Sequence, residues 1–194
     1  MLDSLAHVAQ LLTDSKIPFA VGGSFASSTW GYMRTTQDID LVVLMHPTTL
    51  DDLLSRLEWP YFADQDHLRQ AVCRPAPFES GCITNGETGD RIDLFLLEES
   101  EYTRALLDRA VSDDLINGPN LPIISAEDIV IAKLRWYRLG GEISDRQWND
   151  VVGVLEVQRP HLDLDYLRHW AAHFAILDLT EEALSEVERH PRSP

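Results

Sequence analysis

At 194 residues and 44% hydrophobic side chains, the chain is long enough for one sizeable core or two small ones, and its composition is that of a folded soluble protein. A formal net charge of -16 argues against non-specific DNA binding, which draws most of its affinity from Lys and Arg contacts to phosphate. No apolar run reaches membrane-spanning length, Met1-Leu2-Asp3-Ser4 lacks the basic region and apolar core of a secretory signal, and Cys73 and Cys82 match neither a metal knuckle nor a disulfide framework, so a cytoplasmic protein with free thiols and no membrane partner is expected.

Taken in chain order, Leu5, Val8, Ala9 and Leu12 fall on one side of a helix over Leu2 to Leu12. Ile17 to Val21 reads as a strand running into Gly22-Gly23-Ser24, where a helix over Phe25 to Trp30 opens. A second strand follows over Asp38 to Leu44, ended by His46 and Pro47, then a helix from about Thr48 to Leu57. Cys82-Ile83-Thr84 and Asp90 to Leu97 read as a hairpin joined through Asn85-Gly86-Glu87-Thr88-Gly89, with a helix from about Glu101 to Ala110 beyond it. Asn117-Gly118-Pro119-Asn120 is the clearest breaker cluster, and the apolar run Leu121 to Ile124 follows it. Everything later reads as helix, with Ser125-x-x-Asp128 and Ser144-x-x-Gln147 as capping signals, Gly140-Gly141 as a stop, and two last helices from about Asp163 to Phe174 and Thr180 to Arg189. The expected class is α/β (α+β), with an α/β domain over residues 1–124 and a helical region over 125–194 packed on it.

The chemistry-bearing stretch runs from Gly22 to Asp40. The side-chain period of two puts Asp38 and Asp40 on one face of their strand while Ile39, Leu41 and Val43 pack on the other. Two carboxylates one pleat apart repel unless a cation lies between them, and a hard divalent ion such as Mg2+ favours carboxylate oxygens combined with substrate phosphates. The glycines permit close backbone approach, and a helix start offers free N–H donors to an anion. Two other Asp-x-Asp sequences, Asp64 to Asp66 and Asp163 to Asp165, lie outside apolar strands and are expected to be a solvated loop and a helix start.

This pattern resembles the signature of the DNA polymerase beta-like nucleotidyltransferase superfamily: an apolar residue, Gly, Gly or Ser, a gap of roughly a dozen residues, an Asp-x-Asp flanked by apolar residues, and a third carboxylate on a later strand. Here Val21-Gly22-Gly23-Ser24 is followed by thirteen residues and then Asp38-Ile39-Asp40-Leu41, and Asp93 between Ile92 and Leu94 supplies the third carboxylate. The resemblance implies a nucleotidyltransferase-type mixed β-sheet flanked by helices and followed by a helical bundle. It implies Asp38, Asp40 and Asp93 as catalytic metal ligands for Mg2+, with Mn2+ as substitute. It also implies Gly22, Gly23 and Ser24 as the cradle of the terminal phosphates of an NTP. The reaction implied is transfer of a nucleoside monophosphate to a hydroxyl of a protein or RNA acceptor, with release of pyrophosphate.

Two cations are candidates for nucleotide binding. Arg34 either contacts phosphate or ribose or is an exposed turn arginine. Lys133 lies at three- and four-residue spacings from Ile129, Val130, Trp136 and Tyr137, so its stem runs along an apolar side and its head either snorkels or meets an anion. Ala132-Lys133-Leu134 with Arg138, Arg146 and Asp150 is similar to the helical motifs of AbiEii-type toxin nucleotidyltransferases, which implies a toxin-like member of a toxin-antitoxin pair with a cognate antitoxin-like protein. Gln147 stands where that pattern has its first Asp. The alternative is a weakly active or inactive nucleotide-binding or protein-interaction module on the same fold. His169 and His173 share a helix face, but no Glu follows the first as in a zinc-protease motif.

Overall fold

The structure, a computed structural model, describes residues 1–35, 38–73, 79–114 and 120–189, with the backbone alone at 113 and 114. The Asn117-Gly118-Pro119 part of the breaker lies outside the described residues. The chain forms two compact units, one of Met1–Gly22 with Gln37–Ile123 and the other of Gly23–Thr36 with Ile124–Pro194. The sequence reading placed residues 23–36 with the α/β part, but the helix in that segment packs with the late helices.

The first unit is a mixed sheet of β1 (Phe19–Val21), β2 (Ile39–Val43), β3 (Tyr61–Ala63), β4 (Ser80–Asn85), β5 (Arg91–Leu96), β6 (Val111–Asp114) and β7 (Asn120–Ile123). Its order is β3-β4-β5-β2-β1-β7-β6. Around it lie α1 (Leu2–Asp14), α3 (Pro47–Arg56), α4 (Gln65–Cys73) and α5 (Glu101–Asp108). The alternation read from sequence is realised: Ile39, Leu41, Val43, Ile92 and Leu94 are buried, and Asp40 and Asp93 face the other way. Helices α1 and α4 pack on β5 and β4, bringing Leu5, Val8, Leu12 and Leu68 to the core. Strand β3, helix α4 and strand β6 were not foreseen, because the strands are short and Val111-Ser112-Asp113-Asp114 is mostly polar. Asp64 and Asp66 do not form a solvated loop: the Asp64 carboxylate accepts from the His67 backbone N–H at 2.9 Å and caps α4.

The second unit holds α2 (Gly23–Trp30), α6 (Ala126–Leu139), α7 (Asp145–Gln158), a 3-10 turn at Arg159–His161, α8 (Leu164–His173) and α9 (Leu177–Arg189). Ser125, Ser144 and Asp163 cap α6, α7 and α8 as read from sequence, each accepting a backbone N–H three residues on. Helix α2 packs on α6 and α7. Gly31 follows α2, and a Cβ there would lie 2.9 Å from the Ser27 carbonyl oxygen and 2.9 Å from the Val154 nitrogen. Both obstacles are backbone, so Gly31→Ala is expected to destabilise this unit by about 1–3 kcal/mol in urea unfolding. Among the described residues no helix is long and apolar enough to cross a membrane.

Candidate active site

In the first unit, parallel pairing of β2 with β5 sets Asp40 opposite Asp93, so two carboxylates sit side by side on one sheet face. Both are partly buried, and Asp38, one residue ahead of β2, is exposed. The glycine turn is tied to the same strand: the Gly22 N–H donates to the Asp40 carbonyl oxygen at 2.8 Å, continuing the antiparallel pairing of β1 with β2. Antiparallel pairing of β4 with β5 sets Cys82 beside Asp93. Arg91, two residues before Asp93 and on its face, donates from Nε to Asp93 Oδ1 at 2.7 Å. Its guanidinium pKa is raised, first by that hydrogen bond and then by the charge of Asp93, with a smaller contribution from Asp38.

The donor chemistry suits a hard divalent cation: three carboxylates near one register position, with Asp40 and Asp93 as lateral neighbours. The side chains are not closed around an ion, since among the described residues no three ligating groups converge on one point and Asp93 is held by Arg91.

In the second unit the sequence candidates Ser24, Arg34 and Lys133 come together with Arg146 and Asp150. Gly23 begins α2 with φ of +53°, a backbone region open to glycine and costing about 1–2 kcal/mol for an ordinary L-residue. Ser24 follows in the first turn, and its Oγ receives donors from Arg34 Nη2 and, at 3.1 Å, from Arg146 Nη2. Arg34 is not an exposed turn arginine. Its Nε and Nη2 each lie 3.0 Å from Asp150, one on each carboxylate oxygen, in the forked geometry that guanidinium favours. Lys133 does not snorkel. Its side chain is 7% exposed, and Nζ donates to Asp150 Oδ2 at 2.8 Å.

Charge and burial compete at this cluster. Burial pushes the Lys133 ammonium below its ordinary value, opposed by Asp150 and reinforced by Arg34 and Arg146. Burial alone would raise Asp150, but hydrogen bonds from Arg34 and Lys133 outweigh it and hold the carboxyl below the usual range. Three cationic side chains thus surround Ser24 and one carboxylate. Sequence reasoning left Arg146 and Asp150 without roles; their i, i+4 spacing on α7 was the available signal, and Arg34 as a partner was not readable from sequence. Arg138, grouped with them by motif, instead pairs with Asp178 at 2.7 Å.

No protein-family model matches this chain, and no curated protein sequence does. Solved structures do. The solution structure of the antibiotic-resistance factor ANT(2'')-Ia superposes with a TM-score of 0.56 at 11% identity, over 97% of this chain and 95% of that one. This is a nucleotidyltransferase fold. The same enzyme in complex with adenylyl-2''-tobramycin gives 0.57 at 11% identity, over 90% of this chain and 96% of that one. A nucleotidyltransferase-like antigenic protein from Paracoccidioides brasiliensis gives 0.53 at 16%, over 95% and 91%.

Proposed function

We propose that the chain is a metal-dependent nucleotidyltransferase that moves a nucleoside monophosphate from an NTP to an acceptor hydroxyl. The observation that carries this reading is the register pair Asp40 and Asp93 on one face of the sheet in a nucleotidyltransferase fold, with Asp38 beside them. These three carboxylates hold Mg2+ or Mn2+, which when bound supplies a Lewis acid to the phosphate oxygens. Asp93 also orients the acceptor hydroxyl and receives its proton as the oxygen attacks the α-phosphorus; the bond to the bridging oxygen breaks and pyrophosphate leaves. Gly22, Gly23 and Ser24 form the phosphate-binding turn, through backbone N–H and hydroxyl groups, and within the helical unit three cations, Arg34, Lys133 and Arg146, stand against the single carboxylate of Asp150 around Ser24, a balance that suits an anion.

The finer reading is a toxin-type transferase acting in the cytoplasm on a protein or a defined RNA, countered by an antitoxin-like partner. Its support is the Lys133–Asp150 pair, which joins the two helical motifs that resemble those toxins. A second reading, a nucleotide-binding module with weak or no catalysis, draws on the Arg91–Asp93 pair, which gives one of the three carboxylates a cationic partner within the chain. Incubating the purified chain with each labelled NTP, Mg2+ and cell extract separates these readings, with tobramycin added as a small acceptor because the structural neighbour was seen with its adenylylated form. Label on protein or RNA supports the toxin-type reading, label on tobramycin points to a small-molecule acceptor, and NTP binding without any label supports the module.

A further inference from the structure

Arg91 donates a hydrogen bond to the carboxylate face at Asp93, and the proposed reaction leaves it without a task. On β5 it stands one pleat before Asp93 on the same face, and β2 brings Asp38 alongside, one residue ahead of the Ile39–Ile92 pair. The guanidinium therefore lies along Asp93, on the face of the sheet that carries the carboxylates. The contact is a single 2.7 Å bond from Nε, and the arginine side chain is 59% exposed against 18% for Asp93. An ion pair so open to water is weak, so it can be displaced rather than permanently closing the site. The planar fork of a guanidinium is also the side chain best matched to phosphate oxygens, which gives it a place to go when a phosphate chain arrives.

We propose that Arg91 is an exchangeable counter-cation of the carboxylate face: it competes with the divalent ion for Asp93, and on release it binds the phosphate chain of the incoming ligand. The inference rests on the carboxylates being the ion's site. It makes ion and polyphosphate binding mutually supportive, because each favours the arrangement in which Arg91 has left Asp93.

Binding of Mn2+ to the full chain, read by electron paramagnetic resonance without nucleotide, tests the first half. Arg91→Gln is expected to tighten Mn2+ about fivefold, the factor that a weak exposed pair represents, with Arg91→Lys in between. Inorganic tripolyphosphate at saturating Mn2+, measured by calorimetry, tests the second half and is independent of base preference. There Arg91→Gln is expected to bind more weakly than the unaltered chain, a change opposite in sign to the first that loss of structure alone does not produce. Unchanged or weaker Mn2+ affinity in Arg91→Gln, or unchanged tripolyphosphate affinity, overturns the proposal. Asp93→Asn separates this failure from failure of the active-site reading: if it loses Mn2+ while Arg91→Gln is unchanged, only the role of Arg91 falls, and if it binds Mn2+ as before, the carboxylate site falls as well.

Discussion

Asp40→Asn is expected to lower the rate of nucleotidyl transfer by at least about a thousandfold, because an ion held by carboxylates accounts for several kcal/mol of transition-state charge stabilisation and each 1.4 kcal/mol is a factor of ten. The fold should tolerate the change, since Asn is nearly isosteric with Asp and the core-facing residues of β2 are Ile39, Leu41 and Val43. Asp64→Asn is the matched control. It alters an Asp-x-Asp of similar appearance in sequence, but that carboxylate caps α4, so the expected cost is at most about 1 kcal/mol of stability with transfer unchanged. Transfer at the normal rate in Asp40→Asn, with folding verified by circular dichroism, would remove the active site proposed above.

Asp150→Ala should have the largest effect on stability, about 3–5 kcal/mol, because it leaves a 7%-exposed lysine charge and one fork of Arg34 without their acceptor. Tryptophan fluorescence is a suitable probe in urea: Trp30, Trp136, Trp148 and Trp170 belong to the helical unit and only Trp59 to the sheet unit. Combining Lys133→Met with Asp150→Ala should recover part of the loss, since the buried charge then disappears with its partner. A double variant as unstable as the single one would show that Lys133 is not the source of the cost.

The same pair predicts a pH dependence. Asp150 has a folded-state pKa held below its unfolded value of about 3.9, so its contribution is present above that pH and is lost as pH falls through the lower folded value. The stability gap between the unaltered chain and Asp150→Asn should therefore be wide near pH 7 and shrink below about pH 4. Lys133 acts from the other side. Burial has already lowered its pKa, and removal of Asp150 takes away the group opposing that shift, so raising the pH should relieve Asp150→Asn by discharging the lysine. Urea midpoints across this range check both limbs, and a gap that widens in acid contradicts the assignment.

Much of the carboxylate face was legible because strand periodicity is local. Alternation of Ile39, Leu41 and Val43 with the acids, and the apolar flanks of Asp93, identify strands with one face for the core and one for chemistry, without knowledge of pairing. Caps were legible for the same reason, since Ser125, Ser144 and Asp163 act on N–H groups three residues away. Asp64 was misread as a loop residue because the helix it caps is polar, with only Leu68, Ala71 and Val72 buried.

By itself the sequence determined most of the elements, though not β3, α4 or β6, together with the candidate acids and the turn that precedes them, all of which follow from interactions spanning a few residues. Only the tertiary structure decided that Asp40 meets Asp93, that α2 joins the late helices, and that Arg34, Lys133 and Asp150 form one cluster with Ser24 and Arg146. Arg34 and Asp150 stand 116 residues apart, and Arg91 chose the neighbouring Asp93. Such choices depend on which strands and helices pack side by side, and on how burial, charge and hydrogen bonding balance at each head group. Those quantities belong to the assembled chain, because burial and register exist only once distant segments have met.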